Sequence, residues 1–320
     1  MREKTLFILP TAYCTLNCDH CAISSGPNKS TDSLSISKIN EVLEKSKQIG
    51  FGDVHISGGG EPLTLSDVYI KGLLHTISNY GYFINLTTNG FWATTKTKAL
   101  EKMKFLSENG LNQIIVSLSE SHLKFIPFNN ILNICENNKK TDIQVVVYIT
   151  ENNERTRLFE SFLSLFKENN LPPPFVINGN YMIPLGRAEE SYNAGEFYFR
   201  DVSSFDVGCQ SICNNICIHP NGSVTPCAMV AALEIKGFNF GNIHAQDFLS
   251  IYNNICKSKL CLFIREKGVV RLKELIESKS SKIFNQKYVN MCHLCYSINS
   301  SFSDLAEIES FILANDNSLK

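Results

Sequence analysis

With 320 residues, 30 basic against 31 acidic side chains and 43% hydrophobic residues, the chain can bury a large core and carries no net field that would draw nucleic acid or an anionic membrane. The expectation is a two-domain protein acting on a small or uncharged substrate. The apolar run Thr5 to Pro10 is too short for a secretory core, and no run reaches membrane-spanning length, so a cytoplasmic protein is expected. Of 12 cysteines, three fall in the first 21 residues, four between 209 and 227, and two at 292 and 295. A chain of this length without a secretory signal points to metal ligation over disulfides.

From residue 5 to about 183, β-rich runs alternate with helical periodicity. Strands are predicted at Thr5 to Thr11, Gly52 to Ser57, Tyr82 to Thr87, Gln113 to Leu118, Ile143 to Thr150 and Phe175 to Met182. Between them, apolar residues recur at threes and fours, as in Ile36, Ile39, Val42, Leu43 and in Leu158, Phe159, Phe162, Phe166. This predicts an α/β fold, a partial (β/α)6 barrel of TIM type with its site at the strands' C-terminal ends. Residues 1–200 are assigned to that barrel and 201–320 to a small cysteine-rich domain. Residues 188–206 read as a connector, Gln246 to Lys257 and Val269 to Lys279 as helices, and the Asn- and Ser-rich C-terminus as a solvated tail.

The first strand runs into Cys14-Thr-Leu-Asn-Cys18-Asp-His-Cys21. Three thiolates within eight residues can hold three irons of a [4Fe-4S] cluster and leave the fourth open to a reactant. Structural zinc, with His20 as a further ligand, is the alternative, although zinc motifs usually begin with Cys-x2-Cys pairs. The spacing Cys14-x3-Cys18-x2-Cys21 resembles the signature of the radical S-adenosylmethionine (SAM) superfamily. That resemblance implies a cluster whose open iron chelates SAM, reductive cleavage to a 5′-deoxyadenosyl radical, and an electron donor such as flavodoxin or ferredoxin. The residue before the third cysteine is commonly aromatic in the family; here it is His20.

Strand two ends in Ser57-Gly58-Gly59-Gly60-Glu61-Pro62. It lacks the spacing of a phosphate loop, and Pro62 removes a donor; bare backbone with one carboxylate suits a zwitterionic ligand. The string resembles the family's Gly-Gly-Glu motif, whose backbone meets the methionyl amino group. Strand three ends in Thr87-Thr88-Asn89-Gly90 and strand four in Ser117-Leu118-Ser119-Glu120, where helix capping is the simpler reading. The resemblance places Asn89, Ser117 and Ser119 at the adenosyl group, and Arg187, in Pro184-Leu185-Gly186-Arg187-Ala188, at another part of the SAM site.

Cys209 lies thirteen residues before Gly222 and eighteen before Cys227, with Cys292-x2-Cys295 far downstream. Two such pairs make a four-thiolate site, with zinc again the alternative. The arrangement resembles the twitch extension, a shortened SPASM extension carrying one auxiliary [4Fe-4S] cluster. Cys209 fits that spacing better than Cys213. Cys135, Cys256 and Cys261 read as buried hydrophobes. Cys217, on the strand before the Pro220 turn, reads as a core cysteine; in the sharper reading it or Cys213 is a hydrogen-atom donor.

The blocks Asn89-Gly90-Phe91-Trp92 and Leu262-Phe263-Ile264-Arg265-Glu266-Lys267-Gly268, with Cys292-x2-Cys295, look like the epipeptide epimerases, which invert Val and Ile α-carbons in ribosomally made peptides. That group has a second cysteine after the hairpin ligand as hydrogen donor; here the position is Ala228. Peptide epimerisation or crosslinking is therefore expected. A radical dehydrogenase of amino sugars or alcohols, its auxiliary cluster accepting an electron, is the alternative.

Overall fold

In the computed structural model, residues 4–152, 156–168, 175–177, 181–229, 232 and 234–316 are described. Strands β1 (Lys4–Ile8), β2 (Phe51–Ile56), β3 (Phe83–Thr88), β4 (Gln113–Leu118), β5 (Gln144–Ile149) and β6 (Phe175–Ile177) lie side by side in chain order, all parallel. Helices α1 (Ile36–Gln48), α2 (Asp67–Ser78), α3 (Lys96–Glu108), α4 (Glu120–Leu123), α5 (Phe128–Glu136) and α6 (Thr156–Glu168) connect them. An order that never reverses is that of a barrel wall; a doubly wound sheet switches direction. The predicted sixth strand reached Met182, but 178–180 lie outside the described residues; Tyr181 still bridges Glu151 in parallel.

Alternation sets the two faces of the wall. Leu6, Ile8, Val54, Ile56, Ile84, Leu86, Ile114, Val116 and Leu118 are buried in one core with Ile39, Leu43, Ile70, Leu73, Leu74, Ile77, Met103 and Leu106 of the covering helices. Their neighbours Phe7, His55, Asn85, Thr87, Ile115, Ser117 and Tyr148 face the other side and are only half-buried. That inner face carries the candidate chemistry.

The expected division after residue 200 is crossed by the sheet itself. Strand β8 (Asn215–Ile218) pairs in parallel with β1, setting Cys217 beside Phe7, and β9 (Val224–Thr225) folds back antiparallel on it. The first hairpin of the cysteine-rich segment thus extends the barrel wall. Nor is 188–206 a plain connector: α7 (Arg187–Ser191) is followed by β7 (Arg200–Asp201), antiparallel to β10 (Lys287–Tyr288), over a small apolar cluster of Met182, Ala188, Phe197 and Val289.

In the C-terminal region, helices α8 (Phe248–Lys257), α9 (Lys259–Glu266), α10 (Gly268–Lys279), α11 (Met291–Ser300) and α12 (Leu305–Asn315) pack together. The two helices expected near Gln246 to Lys257 and Val269 to Lys279 are present as α8 and α10, and the stretch expected as a solvated tail is helical as well. Ile298, Ile308 and Ile312 are buried, and Asp304 caps α12 by accepting from Glu307 N–H. In α11 the buried Leu294, Cys295 and Ile298 recur at helical spacing, and in α12 Ile308 and Ile312 do the same. Among the described residues no helix is long and apolar enough to cross a membrane.

Candidate active site

The Cys14–Cys21 loop leaves β1 at the C-terminal end of the wall. Leu16 N–H donates to the Cys14 sulfur at 3.4 Å, Ser25 N–H to Cys21 at 3.3 Å, and the Asn89 side-chain amide lies 3.7 Å from Cys14. Burial pushes the Cys14 thiol up to about 11 and Cys18 to about 12, and the thiols repel one another as they ionise. Without a cation between them these groups stay protonated; with one they become thiolates.

The glycine loop is pressed onto this one. Glu61 N–H donates to Tyr13 carbonyl at 2.7 Å, and a Cβ on Gly60 would stand 2.0 Å from that oxygen. A Cβ on Gly59 would lie 3.0 Å from Pro220 Cγ and 3.1 Å from Thr11 carbonyl, so the β8–β9 turn touches the same loop. Gly58, whose Cβ would meet only Gly60 carbonyl at 3.1 Å, forms the open side. The Glu61 carboxylate does not face a ligand. It is 2% exposed and accepts from Thr88 Oγ1 at 2.8 Å, Asn89 N–H at 2.7 Å and Leu63 N–H at 3.1 Å. Its chemistry is bracing of β3's end against the glycine loop.

Beside the cysteines opens a pocket lined by His20, Ser119, Thr150, Asn152, Met182 and Tyr192. The hydroxyl of Ser119 caps α4, accepting from His122 N–H at 3.1 Å, and lies 2.8 Å from His122 Nδ1 and 3.4 Å from His20 Nδ1. The two imidazoles meet edge to face at 4.8 Å, and burial lowers His20 to about 4 and His122 to about 3. Both are neutral near pH 7. Ser117 lies one turn of the pleat below on β4, level with Tyr148. The guanidinium of Arg187 points elsewhere: Nε donates to Cys18 carbonyl at 2.9 Å and Nη2 to Ser25 carbonyl at 2.5 Å, so it braces the cysteine loop from behind.

At the second cysteine set, Cys209, Cys227, Cys292 and Cys295 come together. Burial comes first among the causes that raise Cys227, Cys292 and Cys295, and mutual repulsion among the four adds to it. Cys292 is exposed as a residue, yet its thiol is pushed up to about 11. Asn299 Nδ2 donates to the Cys295 sulfur at 3.4 Å. Cys213 lies near Cys227 and adds to its repulsion, but its backbone is left-handed at φ 66°, and a hydrogen bond from the Cys261 thiol lowers its pKa. Cys217 is fully buried yet outside the apolar clusters, on the inner face between Phe7 and Thr225.

The family model of the radical SAM superfamily matches residues 8–157, and that of SPASM, an iron-sulfur cluster-binding domain, matches 209–296. The chain is a radical SAM enzyme. The putative peptide biosynthesis protein YydG of Bacillus subtilis (strain 168) is 27% identical over 318 residues, 94% of this chain and 93% of its own. A probable GTP 3',8-cyclase of Methanothermobacter thermautotrophicus is 33% identical over 108 residues, covering 33% of this chain and 32% of that protein. Among solved structures, native anSMEcpe with bound AdoMet matches at TM-score 0.56 and 16% identity over 98% of this chain and 99% of that one. BtrN in complex with AdoMet and 2-DOIA matches at TM-score 0.53 and 17% identity over 85% and 90%. These two likenesses are of fold.

A radical SAM enzyme with a SPASM domain binds a SAM-bearing [4Fe-4S] cluster and an auxiliary iron-sulfur cluster, and the residues present fit both. Each set offers buried thiols with N–H donors already aimed at sulfur, the hydrogen bonding that tunes such clusters. Among the described residues no three His, Cys, Asp or Glu side chains stand close enough to share a single ion. A cluster asks less, since each thiolate takes its own iron. Sequence reading missed His122 and the asparagines of α5. The capping spacing Ser119-x2-His122 was the one available signal for the first.

Proposed function

We propose that this radical SAM enzyme modifies a ribosomally made peptide, by inversion of α-carbons or by crosslinking. The observation that carries the reading is the end-to-end likeness to a protein named for peptide biosynthesis, over 94% of this chain. The inner face supports it. Phe7 lies against His55 at 4.8 Å, His55 Nε2 meets Thr87 Oγ1 at 2.7 Å, and burial lowers His55 to about 4, so the imidazole is neutral. With Asn85, Ser117 and Tyr148 alongside, these residues form an uncharged hydrogen-bonding surface with apolar patches, Asp53 lying nearer the start of β2, and it is suited to peptide amides and aliphatic side chains.

In this reading Cys14, Cys18 and Cys21 hold the SAM-binding cluster, and Cys209, Cys227, Cys292 and Cys295 the auxiliary one. Gly58, Gly59 and Gly60 present backbone to the methionyl group of SAM, while His20, Asn89, Ser117 and Ser119 border the adenosyl group. Glu61 and Arg187 hold those loops in place. When bound, the first cluster and SAM supply hydrogen-atom abstraction from substrate. Burial keeps Cys217 a protonated thiol, the state from which a hydrogen atom can pass to a substrate carbon radical. One electron and one proton from the external reductant and solvent then restore the thiol.

The test is anaerobic incubation of the enzyme, SAM and dithionite with synthetic short peptides encoded beside its gene, read by mass spectrometry in heavy water. A gain of deuterium supports epimerisation, and a loss of two hydrogens supports a crosslink. A peptide left unchanged while an amino sugar loses two hydrogens replaces this reading with the dehydrogenase.

A further inference from the structure

Two buried asparagines of helix α5, Asn130 and Asn133, and Asn137 at its C-terminal cap are 3%, 7% and 1% exposed. Asparagine is a poor helix former, and a buried amide is costly unless it is hydrogen-bonded. All three point at one neighbour. Asn130 Nδ2 donates to Gly90 carbonyl at 3.0 Å and Phe91 carbonyl at 3.4 Å, Asn133 Nδ2 to Ala93 carbonyl at 2.8 Å, and Asn137 Nδ2 to Lys96 carbonyl at 3.0 Å. The segment after β3 is thus fixed at three successive points by one rigid helix.

What that segment carries gives the ladder a purpose. Gly90 turns the chain at φ 77°, and Phe91 N–H is tied to Asn89 Oδ1 at 3.0 Å, the same Asn89 whose amide approaches the Cys14 sulfur. Phe91 then packs with Cys14 against a separate small apolar cluster of Leu16, Cys18 and Ile126. Leu16 and Ile126 are 5% and 3% exposed. Two of the three cysteines of the loop therefore sit under an apolar cap, and Phe91 is its half-buried outer member. Water access and hydrogen bonding set the potential of an iron-sulfur cluster, and exposure sets its loss to oxidants.

We propose that Phe91, with Leu16 and Ile126, keeps water and oxidants off the SAM-binding cluster, and that Asn130 and Asn133 are positioning residues that hold Phe91 there. The proposal rests on the assignment of that cluster to Cys14, Cys18 and Cys21. The test uses reconstituted holoenzyme and the reduced-cluster paramagnetic resonance signal that changes on adding SAM, which separates this cluster from the auxiliary one. Phe91→Ala should lose that signal several-fold faster in air and shift its midpoint potential upward, because water favours the more negative reduced state. Phe91→Leu, which keeps an apolar side chain, should stay near wild type. Asn133→Leu should follow Phe91→Ala although the phenyl ring remains, while far-ultraviolet dichroism shows the fold intact. Wild-type decay and potential in Phe91→Ala overturn the cover, and an Asn133→Leu that changes only the urea midpoint overturns the positioning role. Wild-type protein with no SAM-sensitive signal overturns the cluster assignment itself, and the cover with it.

Discussion

Substituting Gly60 by alanine should separate the two loops proposed to form the SAM site. The new methyl would lie 2.0 Å from Tyr13 O, 2.5 Å from Tyr13 C and 2.7 Å from Ala12 C, all backbone atoms that cannot swing aside. Restoring ordinary contact means moving the cysteine loop by on the order of 1 Å. That shift breaks the Glu61 N–H bond to Tyr13 carbonyl, now 2.7 Å. Overpacking costs about 1–3 kcal/mol, and the lost bond adds about 1 kcal/mol. Because Tyr13 adjoins Cys14, iron content and SAM cleavage should fall together, the latter about tenfold or more for a misplacement of this size. Anaerobic urea unfolding followed by circular dichroism, iron assay and 5′-deoxyadenosine release measure the three effects. Gly195→Ala is the control, since a Cβ there meets nothing within 4 Å. A Gly60→Ala protein with the wild-type urea midpoint and full iron would refute the close approach as the reason for glycine.

Burial raises Glu61 from 4.5 to about 7, so the folded state holds its proton more tightly and stability falls as pH rises from 4.5 through about 7. The span is worth about 3 kcal/mol at roughly 1.4 kcal/mol per pH unit, and Glu61→Gln should flatten that slope in unfolding curves taken across the range; a slope that persists contradicts this account. For Cys217→Ala the expectation is SAM cleavage at the normal rate with deuterium incorporation into peptide abolished, and incorporation at the wild-type rate removes the thiol from the mechanism. Between the two neighbouring cysteines, Cys209→Ser should lower auxiliary-cluster iron and its visible absorbance while Cys213→Ser leaves both unchanged; the reverse pattern would exchange their roles.

Much of the wall was legible because strand and helix periods differ so plainly. Gln113–Leu118 alternates with period two and emerges as the predicted strand, and Ile36–Gln48 buries Ile39, Val42, Leu43 and Ser46 on the predicted stripe. The parallel pairing of β8 with β1 was not legible. Ile216, Cys217 and Ile218 are buried on both faces, so the run has no alternation to say which sheet it joins. Helices α11 and α12 do carry a helical period, Leu294, Cys295 and Ile298 in one and Ile308 and Ile312 in the other, but the Asn and Ser residues around them suggest a solvated tail.

At the site, motif spacing placed chain positions near the chemistry but did not say what each side chain does there. Gly60 and Glu61 share one motif, yet the first is constrained by a carbonyl 2.0 Å from where its Cβ would be, and the second serves as an acceptor for β3's end. Arg187 reaches the cysteine loop through carbonyl oxygens, which no residue pattern records. The same limit bears on Cys217. Its neighbours in sequence are core isoleucines, and only the parallel register with β1 turns it toward Phe7 and the inner face instead of the helices. With Ala228 in the position that follows Cys227, a hydrogen donor for inversion has to come from another element that reaches this face. Among the cysteines outside the two clustered sets, Cys135, Cys213 and Cys261 belong to the main apolar core and Cys256 packs against it, which leaves Cys217 as the thiol whose register meets that requirement.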